Sequence, residues 1–137
     1  MRMLRNEEKV IYPELSYLLC GFCFTIHNDL GRFRNEKQYA DAFEIMLKEN
    51  GIRYEREKRL PKSFAGEQEG RNILDFLVDD KVVIEFKAKR IVTKEDYYQT
   101  KRYLMSCNKK LGILVNFRQH YLSPKRVLNS QHSDINL

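Results

Sequence analysis

The stretch RNILDFLVDDKVVIEFKAKR, Arg71 to Arg90, leaves this chain few choices of fold. Its two apolar runs, rich in Ile, Val, Leu and Phe, are broken by Asp79-Asp80, the pattern of two antiparallel strands joined by a tight turn. Alternation puts Val83, Glu85 and Lys87 on one face of the second strand and Val82, Ile84 and Phe86 on the other. Both faces carry apolar residues, so the strand is expected in a sheet covered on both sides. A turn through Asp79 to Lys81 sets Asp75 opposite Glu85, and two carboxylates then meet an amine in an apolar surround. Burying two anions is expensive unless a cation compensates them. A divalent metal beside Lys87 would do so.

The competing reading is plain surface chemistry. A Glu-x-Lys on an exposed strand is ordinarily a solvated face or a cross-strand ion pair worth about 0.2–1 kcal/mol. The apolar character of both strands argues against it, and so does the segment that follows. Thr93 is placed as an N-cap, with Asp96 three residues on completing a capping box in which Asp replaces Glu. A helix is expected from about Lys94 to Met105, then a strand over Leu111–Asn116. Gln99 and Tyr103 stand four apart and share one face of that helix. Singly, they read as a polar surface residue and a core aromatic; together, directly after the Glu-x-Lys strand, they extend the candidate site.

Upstream, a first helix is expected from about Pro13 to Leu30, with Pro13 at a tolerated early position. Asn35 caps a second helix on which Glu36, Tyr39, Ala40, Phe43 and Leu47 recur at helical spacing, and Gly51 ends it. Glu36 falls in the first turn on the side expected to face the core, where a carboxylate also suits the helix dipole. Ile52–Glu57 reads as a strand and Pro61–Gly70 as a polar connection. From the second helix onward the order is α-β-β-β-α-β, an α/β layered core with a mixed central sheet flanked by helices. The whole chain, 1–137, is expected to be one domain with its core at about 11–122. Residues 123–137 show little periodicity and are expected to be a loose tail, anchored at most by Val127 and Leu128.

Asp75, Glu85-Phe86-Lys87 and Gln99-Thr100-Lys101-Arg102-Tyr103 resemble the D…ExK…QxxxY signature of the PD-(D/E)XK nuclease superfamily, in its RecB-like branch. Leu74 stands where the superfamily name has proline. Leu15–Gly31 followed by Glu36-Lys37-Gln38-Tyr39 resembles the small bacterial and archaeal group called GxxExxY proteins. The glycine of that name falls at position 33, which is Phe, so Glu36 and Tyr39 alone carry over and the Arg32-Phe33-Arg34 loop is expected to differ in backbone. The resemblance runs from about Leu15 to Phe117. It implies a restriction-endonuclease-like core that hydrolyses phosphodiester bonds, in DNA ahead of RNA. It also implies that Glu36 approaches the metal site as an extra ligand or hydrogen-bond partner.

Phosphodiester cleavage asks for what these residues offer. Asp75 and Glu85 are hard oxygen donors suited to Mg²⁺ or Mn²⁺, and the Phe86 carbonyl is a candidate further ligand. Lys87 is expected to position or deprotonate the attacking water, or to stabilise the phosphorane-like transition state. Gln99 and Tyr103 are expected to orient that lysine or touch the phosphate. Lys89, Arg90, Lys101 and Arg102 are candidates for nonspecific phosphate contacts, although each also reads as solvated surface charge.

Bulk properties agree. Twenty-five Lys and Arg against nineteen Asp and Glu leave a net charge of +6 over 137 residues, a balance that favours polyanionic partners such as nucleic acid. Three cysteines and no signal peptide point to a reduced, cytoplasmic protein. The apolar run Leu15–Ile26 is too short for a membrane span and is interrupted by Ser16 and Gly21. Cys20 and Cys23 with His27 have a spacing that zinc, or with Cys107 an iron–sulfur site, would accept; on a helix they also form one core stripe, and no second CxxC completes a site. Two alternatives to a nuclease follow: a catalytically silent nucleic-acid-binding or interaction module on a nuclease scaffold, and a redox or zinc protein built on the cysteines. A homodimer or a targeting partner protein would help so small a domain hold its substrate.

Overall fold

In the computed structural model, which describes residues 10–130, two helices precede the sheet: α1 (Pro13–Leu30) and α2 (Glu36–Glu49). Strands β1 (Tyr54–Arg59), β2 (Ile73–Val78) and β3 (Val82–Lys87) follow, then α3 (Lys94–Cys107), β4 (Leu111–Asn116) and β5 (Lys125–Leu128). The five strands lie in chain order, all neighbours antiparallel except β3 and β4, which are parallel. A parallel pair needs a crossover, and α3 supplies it.

The helix ends are where local chemistry sets them. Asn35 and Gln38 exchange side-chain and backbone hydrogen bonds at the start of α2, and Thr93 and Asp96 do the same at the start of α3. Asp79 and Asp80 both adopt positive φ, as a primed hairpin turn requires, and the Lys81 N–H closes it on the Val78 carbonyl at 2.9 Å. Asp tolerates that conformation better than most residues because its short side chain bonds locally.

The sheet divides two apolar layers. On one side α1 and α2 pack Leu19, Phe22, Tyr39, Phe43 and Leu47 against Phe76, Ile84, Phe86 and Val115. Phe43 sits edge-on to both Phe76 (5.0 Å) and Phe86 (5.1 Å), and Tyr39 stacks flat on Phe117 at 4.1 Å. On the other side α3 sets Tyr103 and Leu104 against Leu77, Val83, Leu114 and Val127. The alternation read for β3 is therefore obeyed, with Val83 facing α3 and Ile84 and Phe86 facing α1 and α2. Gly112 on β4 makes the α3 contact possible: a Cβ there would lie 2.9 Å from the Thr100 methyl.

Three boundaries differ from the sequence reading. The first strand begins at Tyr54 and runs to Arg59 rather than spanning Ile52–Glu57. Lys58 and Arg59 carry no apolar signal, but their main chains pair with Leu74 and Ile73. Helix α3 reaches Cys107, ended by Asn108 in the left-handed conformation. Lys125–Leu128 is no tail: it closes the open edge of β4, pairing Val127 with Gly112. Only Val127 of the four is buried, so periodicity could not reveal the strand; Arg126 adds hydrogen bonds to the Ser16 hydroxyl and the Ile11 carbonyl. Residues 131–137 of the expected tail lie outside the described residues.

Candidate active site

The β2–β3 ladder ends at the pair Phe76–Ile84, one step short of Asp75 and Glu85. There the main chains no longer bond each other; the side chains take over. The Asp75 N–H donates to Glu85 Oε2 at 2.9 Å, and the Phe86 N–H donates to Asp75 Oδ2 at 2.7 Å. Each carboxyl group thus satisfies an amide of the opposite strand, a bond that becomes charge-assisted when its acceptor is ionised. The break extends to the other side of β2. The β1 register joins Arg56 to Phe76 and Lys58 to Leu74 but skips Glu57, which sits at φ 52° beside Asp75. Strained non-glycine backbone of this kind is concentrated at functional sites.

Both carboxylates resist ionisation. Burial pushes the Glu85 carboxyl well above its ordinary value, and the Asp75 charge adds to the effect against the opposing Asp75 amide and Lys87. Asp75 is raised for the same first reason, with the Glu36 charge adding and the Phe86 amide and Lys87 opposing. Glu85 is only 3% exposed. Such a pair is short of positive charge.

Lys87 supplies part of it. Its Nζ donates to Gln99 Oε1 at 3.1 Å and lies 3.8 Å from Asp96 Oδ1. Asp96 also holds Lys89 at 2.5 Å while completing the α3 capping box. Burial opposes the Asp96 charge, but the Lys89 bond, the Thr93 amide and Lys87 outweigh it and bring its pKa below the ordinary value. The Tyr103 hydroxyl is raised in pKa by burial and then by the Glu85 charge, against the opposing effects of Arg102 and the Ile73 backbone. The end of β3 is tied down by Asn116, whose side chain bonds both the Lys89 N–H and the Lys89 carbonyl.

Glu36 reaches the site from α2. Its side chain is exposed rather than turned into the core, and its Oε2 accepts the Ala88 N–H at 3.2 Å, one residue beyond Lys87. Glu36, Lys37, Arg56, Glu57 and Asp75 line a common cleft of about 110 Å³, in which Lys37 bridges to Glu57 at 3.1 Å. Tyr39, the other motif residue of α2, is fully buried; its hydroxyl donates to the Gly31 carbonyl and accepts the Arg34 N–H, so it braces the α1–α2 loop.

The structure therefore gathers Asp75, Glu85, Lys87, Gln99 and Tyr103, with Glu36 at the rim. It separates the four basic candidates. Lys89 joins the Asp96 cluster, whereas Arg90 lines a cleft with Ile91 and Lys125, and Arg102 lines another with Pro61 and Asn72. Lys101 leans over Tyr97 at 5.7 Å. Cys23 belongs to the apolar core and His27 bonds the Gln119 carbonyl at 2.8 Å, so the cysteine motif serves packing. Asp96, Asn116 and Glu57 were not legible as site residues. Asp96 left one trace, as the third residue after its helix cap.

The donor chemistry fits a hard divalent cation. Asp75 and Glu85 each use one oxygen on an amide, and neither second oxygen accepts a hydrogen bond from a described residue. Every buried polar side-chain atom among the described residues has a partner, so these second oxygens reach solvent-accessible space. Carboxylate and carbonyl oxygens completed by water are what Mg²⁺-like ions prefer. Among the described residues no three His, Cys, Asp or Glu side chains are grouped for a metal, and one Glu36 oxygen accepts the Ala88 amide.

A five-stranded mixed sheet between helices, broken at its centre by an Asp, a Glu and a lysine, defines a restriction-endonuclease-like α/β core. The family follows from comparison: a family model described as the PD-(D/E)XK nuclease superfamily matches residues 13–127, and the chain belongs to that superfamily. Its members are usually nucleases and typically use divalent metals. Searches of curated proteins and of solved structures found no match. No helix among the described residues is long and apolar enough to cross a membrane.

Proposed function

We propose that this protein is a Mg²⁺- or Mn²⁺-dependent nuclease that hydrolyses phosphodiester bonds, in DNA ahead of RNA. The observation that carries the reading is the crossed pair: Asp75 and Glu85 each pinned through one oxygen, each presenting the other, beside a lysine held by Gln99. Within the superfamily, Glu36 and Tyr39 support a kinship with the GxxExxY proteins, and Gln99 and Tyr103 one with the RecB-like branch.

Asp75 and Glu85 are the residues that would hold the ion, with the Phe86 carbonyl as a further donor. A bound divalent cation supplies charge neutralisation at the phosphate and a more acidic water. Pinning one oxygen of each carboxylate fixes the direction of the other, so little reorganisation is needed on binding. Lys87 is held between Gln99 and Asp96, and its Nζ serves to place the attacking water or to meet the charge developing on phosphate oxygen. Gln99 and Asp96 are positioning residues for that amine. Glu36 holds the Ala88 amide and so the exit of β3.

The test is cleavage of single- and double-stranded DNA and RNA with Mg²⁺, with Mn²⁺ and with chelator. Cleavage is expected with the metals alone, and Asp75→Ala, Glu85→Ala and Lys87→Ala are each expected to reduce it by roughly 10²-fold or more. Nucleic-acid binding without cleavage under any divalent metal would overturn the assignment in favour of a binding module on a nuclease scaffold.

A further inference from the structure

Phe33 is 75% exposed at the tip of the α1–α2 loop, yet the loop that carries it is held rigid. The Arg118 guanidinium donates to the carbonyls on both sides of it, Arg32 at 2.6 Å and Arg34 at 3.2 Å, while Arg32 donates back to the Arg118 carbonyl at 3.1 Å. The Arg34 N–H is fixed in turn on the buried Tyr39 hydroxyl. A loose loop would let the ring fold onto the surface and leave water; this one holds it out. Two guanidiniums lie over the ring, Arg32 at 4.8 Å and Arg118 at 5.9 Å from its centroid, and the ring is still three-quarters exposed. The Arg34 guanidinium has no partner among the described residues.

The platform adjoins the candidate active site. Arg118 lines a cleft of about 400 Å³ together with Asn35, Glu36, Lys37 and Ala88, the residue after Lys87. A rigid exposed aromatic beside cations is what a nucleic-acid base and its phosphates recognise. The ring stacks on a base face, and a free guanidinium meets the backbone. Away from duplex ends only an unpaired base has a free face to offer, since bases inside a duplex are covered by their neighbours.

We infer that Phe33 is a stacking platform for an unpaired base, with Arg34 gripping its phosphate while Arg118 braces the loop, and that the substrate entering the site is single-stranded or carries an unpaired segment. The base site stands on the loop geometry; its description as a substrate site rests on the nuclease reading above.

The chain has no tryptophan, so Phe33→Trp introduces a unique fluorescent reporter at an exposed position. In chelator, a single-stranded oligonucleotide is expected to quench that indole by stacking, and a closed circular duplex, which has no exposed terminal pair, is not. Phe33→Ala is expected to weaken single-strand binding by roughly 5- to 150-fold while leaving duplex binding within twofold. Absence of quenching, or equal losses for single strand and duplex, overturns the proposal. Self-association abolished by Phe33→Ala with oligonucleotide affinity unchanged also overturns it and assigns the ring to a second copy of this chain. The two readings separate cleanly. Cleavage by the unsubstituted protein without indole quenching removes the platform and leaves the nuclease; quenching without cleavage under any divalent metal does the reverse.

Discussion

Replacing Glu85 by Gln is expected to stabilise the metal-free fold at neutral pH while abolishing cleavage. Glu85 is buried against Asp75, and its pKa is raised well above the ordinary 4.5. A raised folded pKa in an acid means that the folded state binds more protons than the unfolded one. Stability is then fully present below about 4.5 and is lost as pH rises through the folded value. The cost grows by about 1.36 kcal/mol for each pH unit between 4.5 and the folded value, so at pH 7 it is at most about 3.4 kcal/mol. Gln is uncharged and avoids it, while its carbonyl oxygen still accepts the Asp75 N–H that Glu85 accepts at 2.9 Å. A neutral acceptor is weaker than an ionised one by about 1 kcal/mol, a loss that applies only to the extent that Glu85 is ionised. The net gain is about 1–2 kcal/mol, or a Tm rise of roughly 3–10 °C for a chain of this size. Thermal unfolding in chelator from pH 4 to 8 measures it. The gain should vanish near pH 4.5 and grow toward neutrality. A Tm lowered at pH 7, or a gain independent of pH, would refute the view that Glu85 sits in the fold as an uncompensated acid awaiting a cation.

Mn²⁺ affinity should rise with pH, since the ion must displace protons from Glu85 and Asp75; calorimetry in buffers of different ionisation heat should register proton release, and a pH-independent affinity would contradict it. Gly112→Ala puts a Cβ 2.9 Å from the fully buried Thr100 and 3.6 Å from both Leu104 methyls. It should cost about 1–3 kcal/mol in denaturant unfolding and slow cleavage by shifting α3, which carries Gln99. Thr93→Ala and Asp96→Ala both remove the α3 capping box, at about 1 kcal/mol each. Only Asp96→Ala also releases Lys87 and Lys89, so it should slow cleavage several-fold more than Thr93→Ala; equal rates would confine Asp96 to capping.

The parts of this protein legible from sequence were those written in local periodicity. The α2 and α3 starts follow from Asn35 and Thr93 with their partners three residues on, because a helix cap is a contact within one turn. Alternation along Val82–Lys87 placed Glu85 with Val83 and opposite Phe86, because a strand's faces are set by its own pleat. Lys125–Leu128 escaped because an edge strand with one buried side chain has no pattern to read, and its pairing with β4 lies in main-chain bonds that any sequence can make. Asp96 escaped as a site residue because its link to Lys89 and Lys87 crosses from helix to strand.

The sequence by itself determined the hairpin, the acids on it and the lysine two places on, since each depends only on spacing along the chain. Only the tertiary structure decided that the ladder stops at Phe76–Ile84, that Asp75 and Glu85 take over each other's amides, and that Glu36 turns to Ala88 at the rim. Those outcomes depend on where three separate segments meet once β2 is buried between two layers. Burial then raises two carboxylates that in an isolated hairpin would be ordinary solvated acids.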